Sequence, residues 1–384
     1  MVTNKILYIC SNLFIQLFMH RKLLLYFIPV LLLGFIACQR DDDEPPAREI
    51  KSFSRLYVST SDYQAGASTN FENVWVVDPA DQESFPELSD IKGFVSGAKG
   101  GRTIHYTPTG GLVFQSSINT PGLNDTTIQV MAVNTLGTPA NRAKVSNRNL
   151  DNVRGMYYTV VNNDTGTLPQ EFLLTAQKSD TIANPYLYAF FRPQNSGFWS
   201  KPRYRMVLDF VPWGLIVNDK DVFIVKTGDQ GGLVIYDNFT PNLITKADSL
   251  LTGITPSREL TINGSNNLRG ISYSKTKDVL VLTDYSVNGN QVVDGRILIF
   301  DKFSSNTSTQ NISPSRIIKG VNTGLVQPMD VAIDPREEGQ YIYVADSGAK
   351  RVFRFLISDE GDVAPNSELN LNNRTPEGLS LDAR

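Results

Sequence analysis

The chain repeats itself, and the length of the repeat limits what it can fold into. After residue 50 helical periodicity is nearly absent. In its place a short alternating apolar stretch, a turn, a second stretch, a polar loop and a third stretch recur. The clearest copy is Gly270-Ile271-Ser272-Tyr273, then Val279 to Asp284, then Arg296 to Asp301. A second runs Asp330 to Asp334, Tyr341 to Asp346 and Arg351 to Phe355, and a third Gly214 to Val217, Val222 to Val225 and Leu233 to Asp237. Two fainter copies start near Thr103 and Gly155. The equivalent first-strand positions, Thr103, Gly155, Gly214, Gly270, Asp330 and Gly378, are 52, 59, 56, 60 and 48 residues apart. Half-buried strands with a period of ~50–60 residues are the signature of a β-propeller, because no single unit can cover both faces of its own sheet.

The two ends complete each other. Arg55 to Thr60 and Asn73 to Val77 read as a second and a third strand without a first, and Pro376 to Asp382 reads as a first strand without followers. Joining them gives a blade built from both termini, which closes the ring and removes its free edges. Five blades start between Thr103 and Asp330, so the shared blade makes six. Five would follow if one faint copy were a loop. The expected fold is an all-β, six-bladed β-propeller over residues 53–384. A net charge of -3, with 20% charged and 41% hydrophobic residues, is ordinary for a globular chain and offers no basic excess for nucleic acid.

Val326-Gln327-Pro328-Met329-Asp330-Val331-Ala332-Ile333-Asp334, with Ile342 to Ser347 and Arg351-Val352, resembles an NHL repeat: a proline, an apolar strand ending in Asp, a "YVADS" strand and a basic residue opening the third. Residues 214–237 and 268–301 match that pattern more loosely. The resemblance implies a six-bladed propeller and little chemistry, since the fold carries enzymes and binding scaffolds alike.

In a propeller the residue before each first strand sits at the mouth of the central channel, and pseudosymmetry gathers residues that are far apart in sequence. Here they are Arg102, Arg154, Trp213, Arg269, Met329 and Glu377. Arginines beside an indole suit a carboxylate or an anionic sugar, held by forked hydrogen bonds and stacking. The same residues also permit a plain structural ring, with Glu377 and backbone carbonyls satisfying the arginines. The blade count and Glu377-Gly378 resemble the gluconolactonase-like propellers, whose resemblance implies an axial divalent metal held by Glu, Asn and Asp. Three arginines, a tryptophan and a methionine stand at the other matching positions. Guanidinium groups repel a hard cation, so no metal and no cofactor is expected. A hydrolase or lyase at the mouth stays as the alternative to a binding module.

Other catalytic readings are thin. His105 is the one histidine outside the N-terminal segment, lies within a first strand, and alternation points it at the channel or at a neighbouring blade. Asp284, Asp301, Asp334 and Asp346 recur at strand ends, where a short acceptor caps a turn. Asn184 to Pro193, Phe198-Trp199 and Tyr204 form an aromatic stretch, read as a wide blade core or as a platform for a sugar or protein. Asp125-Thr126-Thr127, Asp180-Thr181-Ile182 and Asp248-Ser249-Leu250 resemble a short O-glycosylation sequon of Bacteroidetes.

The N-terminus carries a targeting signal. Met19-His20-Arg21-Lys22 is basic, Leu23 to Ala37 is apolar, and Cys38 follows. Fifteen apolar residues suit a secretory signal better than a bilayer crossing. Phe35-Ile36-Ala37-Cys38 resembles the bacterial lipobox, with Phe35 where Leu is usual. This implies cleavage before Cys38 and a palmitate-type lipid on it. Residues 1–37 are therefore read as a signal peptide, with translation starting at Met19. Residues 38–52 are read as a lipidated cysteine with an acidic tether, Asp41-Asp42-Asp43-Glu44. That acidic run resembles the surface-export signal of Bacteroidetes lipoproteins. The expected place is the outer membrane, facing the cell exterior. Expected partners are the membrane, through the lipid, and a protein or anionic glycan. Cys10 and Cys38 are the only cysteines, so the folded part has no disulfide framework.

Overall fold

The structure is a computed structural model that describes residues 53–64, 71–118, 125–162, 168–179, 182–195, 197 and 199–384. The signal, Cys38 and the acidic tether lie outside the described residues, as do Asp180 and Thr181. The described strands make six sheets. In chain order these begin with β1 (Ser54–Thr60), β2 (Val74–Val77) and β3 (Lys92–Phe94). The next blade is β4 (Gly101–Thr107), β5 (Leu112–Ser117), β6 (Thr127–Val133) and β7 (Pro139–Ser146). The third is β8 (Val153–Val161), β9 (Gln170–Gln177), β10 (Tyr186–Phe191) and β11 (Tyr204–Val207). The fourth is β12 (Pro212–Asn218), β13 (Asp221–Lys226), β14 (Gly232–Tyr236) and β15 (Arg258–Ile262). The fifth has β16 (Ile271–Ser274), β17 (Val279–Asn288) and β18 (Gln291–Asp301). After them β19 (Gln310–Ile312) leaves to pair in parallel with β15 of the fourth blade, and β20 (Arg316–Lys319) returns to finish the fifth. The sixth is β21 (Pro328–Ile333), β22 (Tyr341–Asp346), β23 (Arg351–Leu356) and β24 (Ser367–Leu369). Finally β25 (Pro376–Ala383) pairs antiparallel with β1, setting Leu379 opposite Val58 and Ser380 opposite Tyr57. The shared blade expected from the two ends is there.

Six apolar clusters fill the six interfaces between neighbouring blades. Tyr57, Val74 and Val76 of the closing blade meet Ile104, Val113 and Met131. Phe114, Ile128 and Val130 meet Tyr158, Leu173 and Phe190. The series continues from the third blade to the fourth, the fourth to the fifth and the fifth to the sixth. Leu56, Val58 and Val77 complete it against Tyr343, Ala345 and Val352 of the sixth blade. Burying both faces of every strand is what the alternation cannot do within one blade; each fully buried large side chain stabilises the ring by ~1.5–3 kcal/mol. The last interface has a polar lock as well. Arg354 is fully buried; it donates to the Ala80 and Glu83 carbonyls at 2.7 and 2.8 Å and to Asn366 Oδ1 at 2.7 Å. Its guanidinium lies 4.2 Å from the Tyr341 ring centroid.

Five of the six inner strands carry a β-bulge near their start, and β16 pairs with β17 without one. Pairing skips between Gly101 and Ile104, Val153 and Gly155, Pro212 and Leu215, and Pro328 and Asp330. It skips also between Pro376 and Gly378. A bulge leaves one residue out of the ladder and re-aims its side chain. The residues so released are Arg102, Arg154, Trp213, Met329 and Glu377, and Arg269 holds the matching place before β16. Just after the bulge the neighbouring strand comes very close. A Cβ on Gly155 would lie 2.4 Å from the Trp213 carbonyl oxygen, and one on Gly378 2.4 Å from that of Arg102. Gly214 and Gly270 sit in the same relation to the next blade.

Two substitutions test this account by chemical denaturation. Arg354→Ala strands the buried Ala80 carbonyl, removes the bonds to Glu83 and Asn366, and is expected to lower stability by ~3 kcal/mol or more. Gly378→Val drives a side chain into the backbone of β4, and a loss at least as large is expected.

Candidate ligand-binding site at the channel mouth

The inner strands β25, β4, β8, β12, β16 and β21 enclose an axial cavity of about 340 Å³. Arg102, Arg154, Trp213, Met329 and Glu377 all line it. Arg269 does not. It is packed against Trp213, its guanidinium 3.7 Å from the indole centroid and its side chain buried. From there it donates to Thr227 Oγ1 at 2.6 Å, the Tyr285 hydroxyl at 2.7 Å and the Leu268 carbonyl at 3.2 Å. Burial pulls its pKa down, and Arg102 adds to that as a nearby like charge. Arg154 and Arg102 lie 4.5 and 5.4 Å from the same indole. Both donate to Asn152 Oδ1, Arg154 at 3.4 Å. One electron-rich ring thus serves three cations, a geometry in which each guanidinium is attracted to the indole while repelling the others.

Glu377 stands on β25, the strand packed beside β4 and its Arg102. Its Oε2 is fully shielded and has no hydrogen-bond partner among the described residues. Burial raises the carboxyl pKa to about 7, although Arg102 and Arg269 pull the other way; Asp62 reinforces the rise. Asp330 is a second acid on the cavity wall and was not singled out as a mouth residue from the sequence. Burial raises it to about 7 as well, with Glu377 contributing as a like charge. Its two oxygens accept from the Leu379 and Val331 amides, both at 2.9 Å, so it ties β21 to β25. Thr227, Tyr285 and Asn152 were also missed. Asn152 stands two residues before Arg154, Tyr285 lies in the same blade as Arg269, and Thr227 comes from the fourth blade.

The metal of the gluconolactonase-like propellers does not fit these residues. Asp330 is committed to backbone amides, Glu377 is a single carboxyl, and the guanidinium groups of Arg102 and Arg154 line the cavity with it. Among the described residues no three His, Cys, Asp or Glu side chains converge.

His105 lines the cavity deeper down, where its ring lies 4.5 Å from that of Tyr157. Burial lowers its pKa to about 3, which keeps it neutral, and among the described residues it has no hydrogen bond to a serine or a carboxylate. Asp284 and Asp346 are fully buried, and each accepts from amides of the loop ahead of its own inner strand. Asp334 binds Arg336, and Asp301 binds Arg316. All four serve structure. In the aromatic stretch Leu187, Tyr188, Phe190 and Tyr204 are core, while Trp199 is exposed. Phe198 is outside the described residues.

No family model matches the chain, and no curated protein matches it. Solved structures similar to it include the Dos1 propeller, 12% identical with a TM-score of 0.38 over 83% of this chain and 74% of that one. Another is a putative 6-phosphogluconolactonase from Bacteroides uniformis, 11% identical with a TM-score of 0.43 over 86% and 99%. A third is Sqt1 of Saccharomyces cerevisiae, 9% identical with a TM-score of 0.39 over 79% and 80%. Likeness at this level carries no argument about what this chain binds or does. The protein is a six-bladed β-propeller closed by its two ends.

The acid at the mouth predicts a pH dependence. A carboxyl whose folded pKa lies above its ordinary 4.5 holds its proton more tightly in the folded chain. Its contribution to stability is full below that value, falls as pH rises towards about 7, and is gone above. Glu377→Gln removes that loss, so the variant is expected to be more stable than the parent at pH 8 by on the order of 1–3 kcal/mol. A residual slope from Asp330 remains in the variant. Urea unfolding midpoints at pH 5, 6, 7 and 8 measure both.

Proposed function

We propose that this protein is a membrane-anchored, surface-displayed propeller that acts as a binding module, with its anion site at the channel mouth. The observation that carries the reading is the set of guanidinium groups on Trp213, two of them facing a cavity within the usual size range of small-molecule sites. Such a mouth takes the carboxylate of a glycan or of an acidic protein segment by charge-assisted, forked hydrogen bonds. The NHL-like repeats supply the frame, and lipid on Cys38 with the acidic run behind it supplies the anchor and the outward address.

A second reading, a hydrolase or lyase at the same mouth, rests on one observation: Glu377 is an acid near neutrality whose buried Oε2 has no partner among the described residues. Catalysis by paired carboxyls would need a second free acid, and Asp330 is occupied. The binding module is therefore preferred.

Arg269 is part of the packing, so the informative variant keeps it. Arg102→Ala combined with Arg154→Ala is expected to weaken the thermal shift given by uronic acids or anionic peptides at least tenfold in apparent Kd. Equal shifts in variant and parent remove the anion site. For the anchor, Cys38→Ser is expected to abolish palmitate labelling and to move the protein out of the membrane fraction. In intact cells, added protease is expected to cut the anchored parent.

A further inference from the structure

A second cleft, of about 540 Å³, opens away from the axis, where β10 and β11 of the third blade meet the loops that follow β7 and precede β15. We propose that it binds an acidic saccharide, with a sugar face stacked on Trp199 and a carboxylate or sulfate held by Arg148, Lys201 and Arg205. The cleft is separate from the channel mouth, and this inference does not depend on what the mouth binds.

Three observations support it. The first is a displayed indole on an anchored stretch of chain. Trp75 is buried and Trp213 carries the mouth arginines, whereas Trp199 is 77% exposed. The next residue is fixed: Ser200 is buried, donates its amide to the Ser146 carbonyl at 2.7 Å, and its carbonyl accepts from Asn147 Nδ2 at 2.8 Å. A large amphipathic ring held in place in water gives contact area at little cost in entropy. The second is the charge of the wall. Arg148, Lys201 and Arg205 are exposed and line the cleft, and no described acid lines it. None of the three belongs to an ion pair among the described residues. Arg205 stands directly opposite Tyr188 in the ladder, so the two side chains leave the same face of the sheet, and the Arg205 amide is tied to the Ser249 carbonyl at 2.9 Å. Cations set around an aromatic floor suit an anion that also carries an extended face to stack. The third is the scarcity of aliphatic lining. Pro202 is the sole aliphatic residue among those described, so the cleft lacks the apolar pockets that seat the anchors of a protein partner. Its volume is within the usual range of small-ligand sites. A neutral sugar would use the indole and leave the cations idle, and a small acid would do the reverse. An acidic saccharide uses both.

Titration calorimetry and tryptophan emission on the purified full-length protein in detergent test this with trigalacturonate and a heparin tetrasaccharide against maltotriose and pentaglutamate. At least one acidic saccharide is expected to bind ten-fold or more tighter than both controls and to shift the emission to the blue. Trp199→Ala is expected to weaken that binding ten-fold or more and to remove the shift, while Trp199→Phe stays within threefold of the parent. Lys201→Ala combined with Arg205→Ala is expected to lower the acidic saccharide to the maltotriose level. Whichever of the two acidic saccharides binds more tightly separates carboxylate from sulfate. If neither binds, or if pentaglutamate binds as tightly as they do, the cleft is not a saccharide site. The inference also falls if Trp199→Ala, with an unchanged unfolding midpoint, keeps the parent's affinity. Loss of binding in Arg102→Ala with Arg154→Ala, but not in Trp199→Ala, would put the saccharide at the mouth, which supports the mouth reading and overturns this one.

Discussion

Neighbouring inner strands come so close around the axis that there is room only for backbone where they pass, and most of the molecule follows from that contact. Gly155, Gly214, Gly270 and Gly378 each face the backbone of the next blade at a distance no Cβ tolerates. The strands reach that spacing by bulging one residue earlier, and the bulge turns the released side chain inward. Packing and site are therefore one device. The same local distortion that lets six twisted sheets crowd a common axis also places Arg102, Arg154, Trp213, Met329 and Glu377 around one cavity.

A ring built this way depends on its last joint. Every blade interface is a two-sided apolar cluster, so an unpaired end would expose one face of the closing blade and one of the sixth. The antiparallel pairing of β25 with β1 covers the edge, and buried Arg354 ties the loop through Ala80 and Glu83 to the sixth blade. An arginine suits that place because its planar fork satisfies several carbonyls at once, where an apolar side chain would leave them unpaired.

The mouth separates structural polar groups from available ones. Arg269 has its hydrogen bonds met by Thr227, Tyr285 and a carbonyl, and its role is to brace the indole. Asp330 is likewise spent on two amides. Among the described residues Glu377 has no such partner on Oε2, and burial raises its pKa to about 7. Among the described residues no three His, Cys, Asp or Glu side chains converge on the axis.

Much of this was legible in one dimension. Alternation identified strands, the ~50–60-residue period made them blades, and two incomplete ends implied a shared one. Because the first strands recur at equivalent places, the six mouth residues could be aligned before any contact was known; Pro212, Pro328 and Pro376, each one residue ahead of the released side chain, mark the bulge in three blades. Repetition did not foretell how equivalent positions would differ. Arg102 and Arg269 look alike in the alignment, yet one lines the cavity and the other is sealed behind Trp213, because Thr227 and Tyr285 lie within reach of Arg269 alone. The loan of β19 to the fourth blade was equally hidden, since three residues that pair in parallel with a distant strand carry no signal of their own. Short-range pattern settles which residues are strands and which turn inward, for it depends on neighbours along the chain. How an inward residue is satisfied depends on partners from other strands and loops, in its own blade and the next, and folding brings those together.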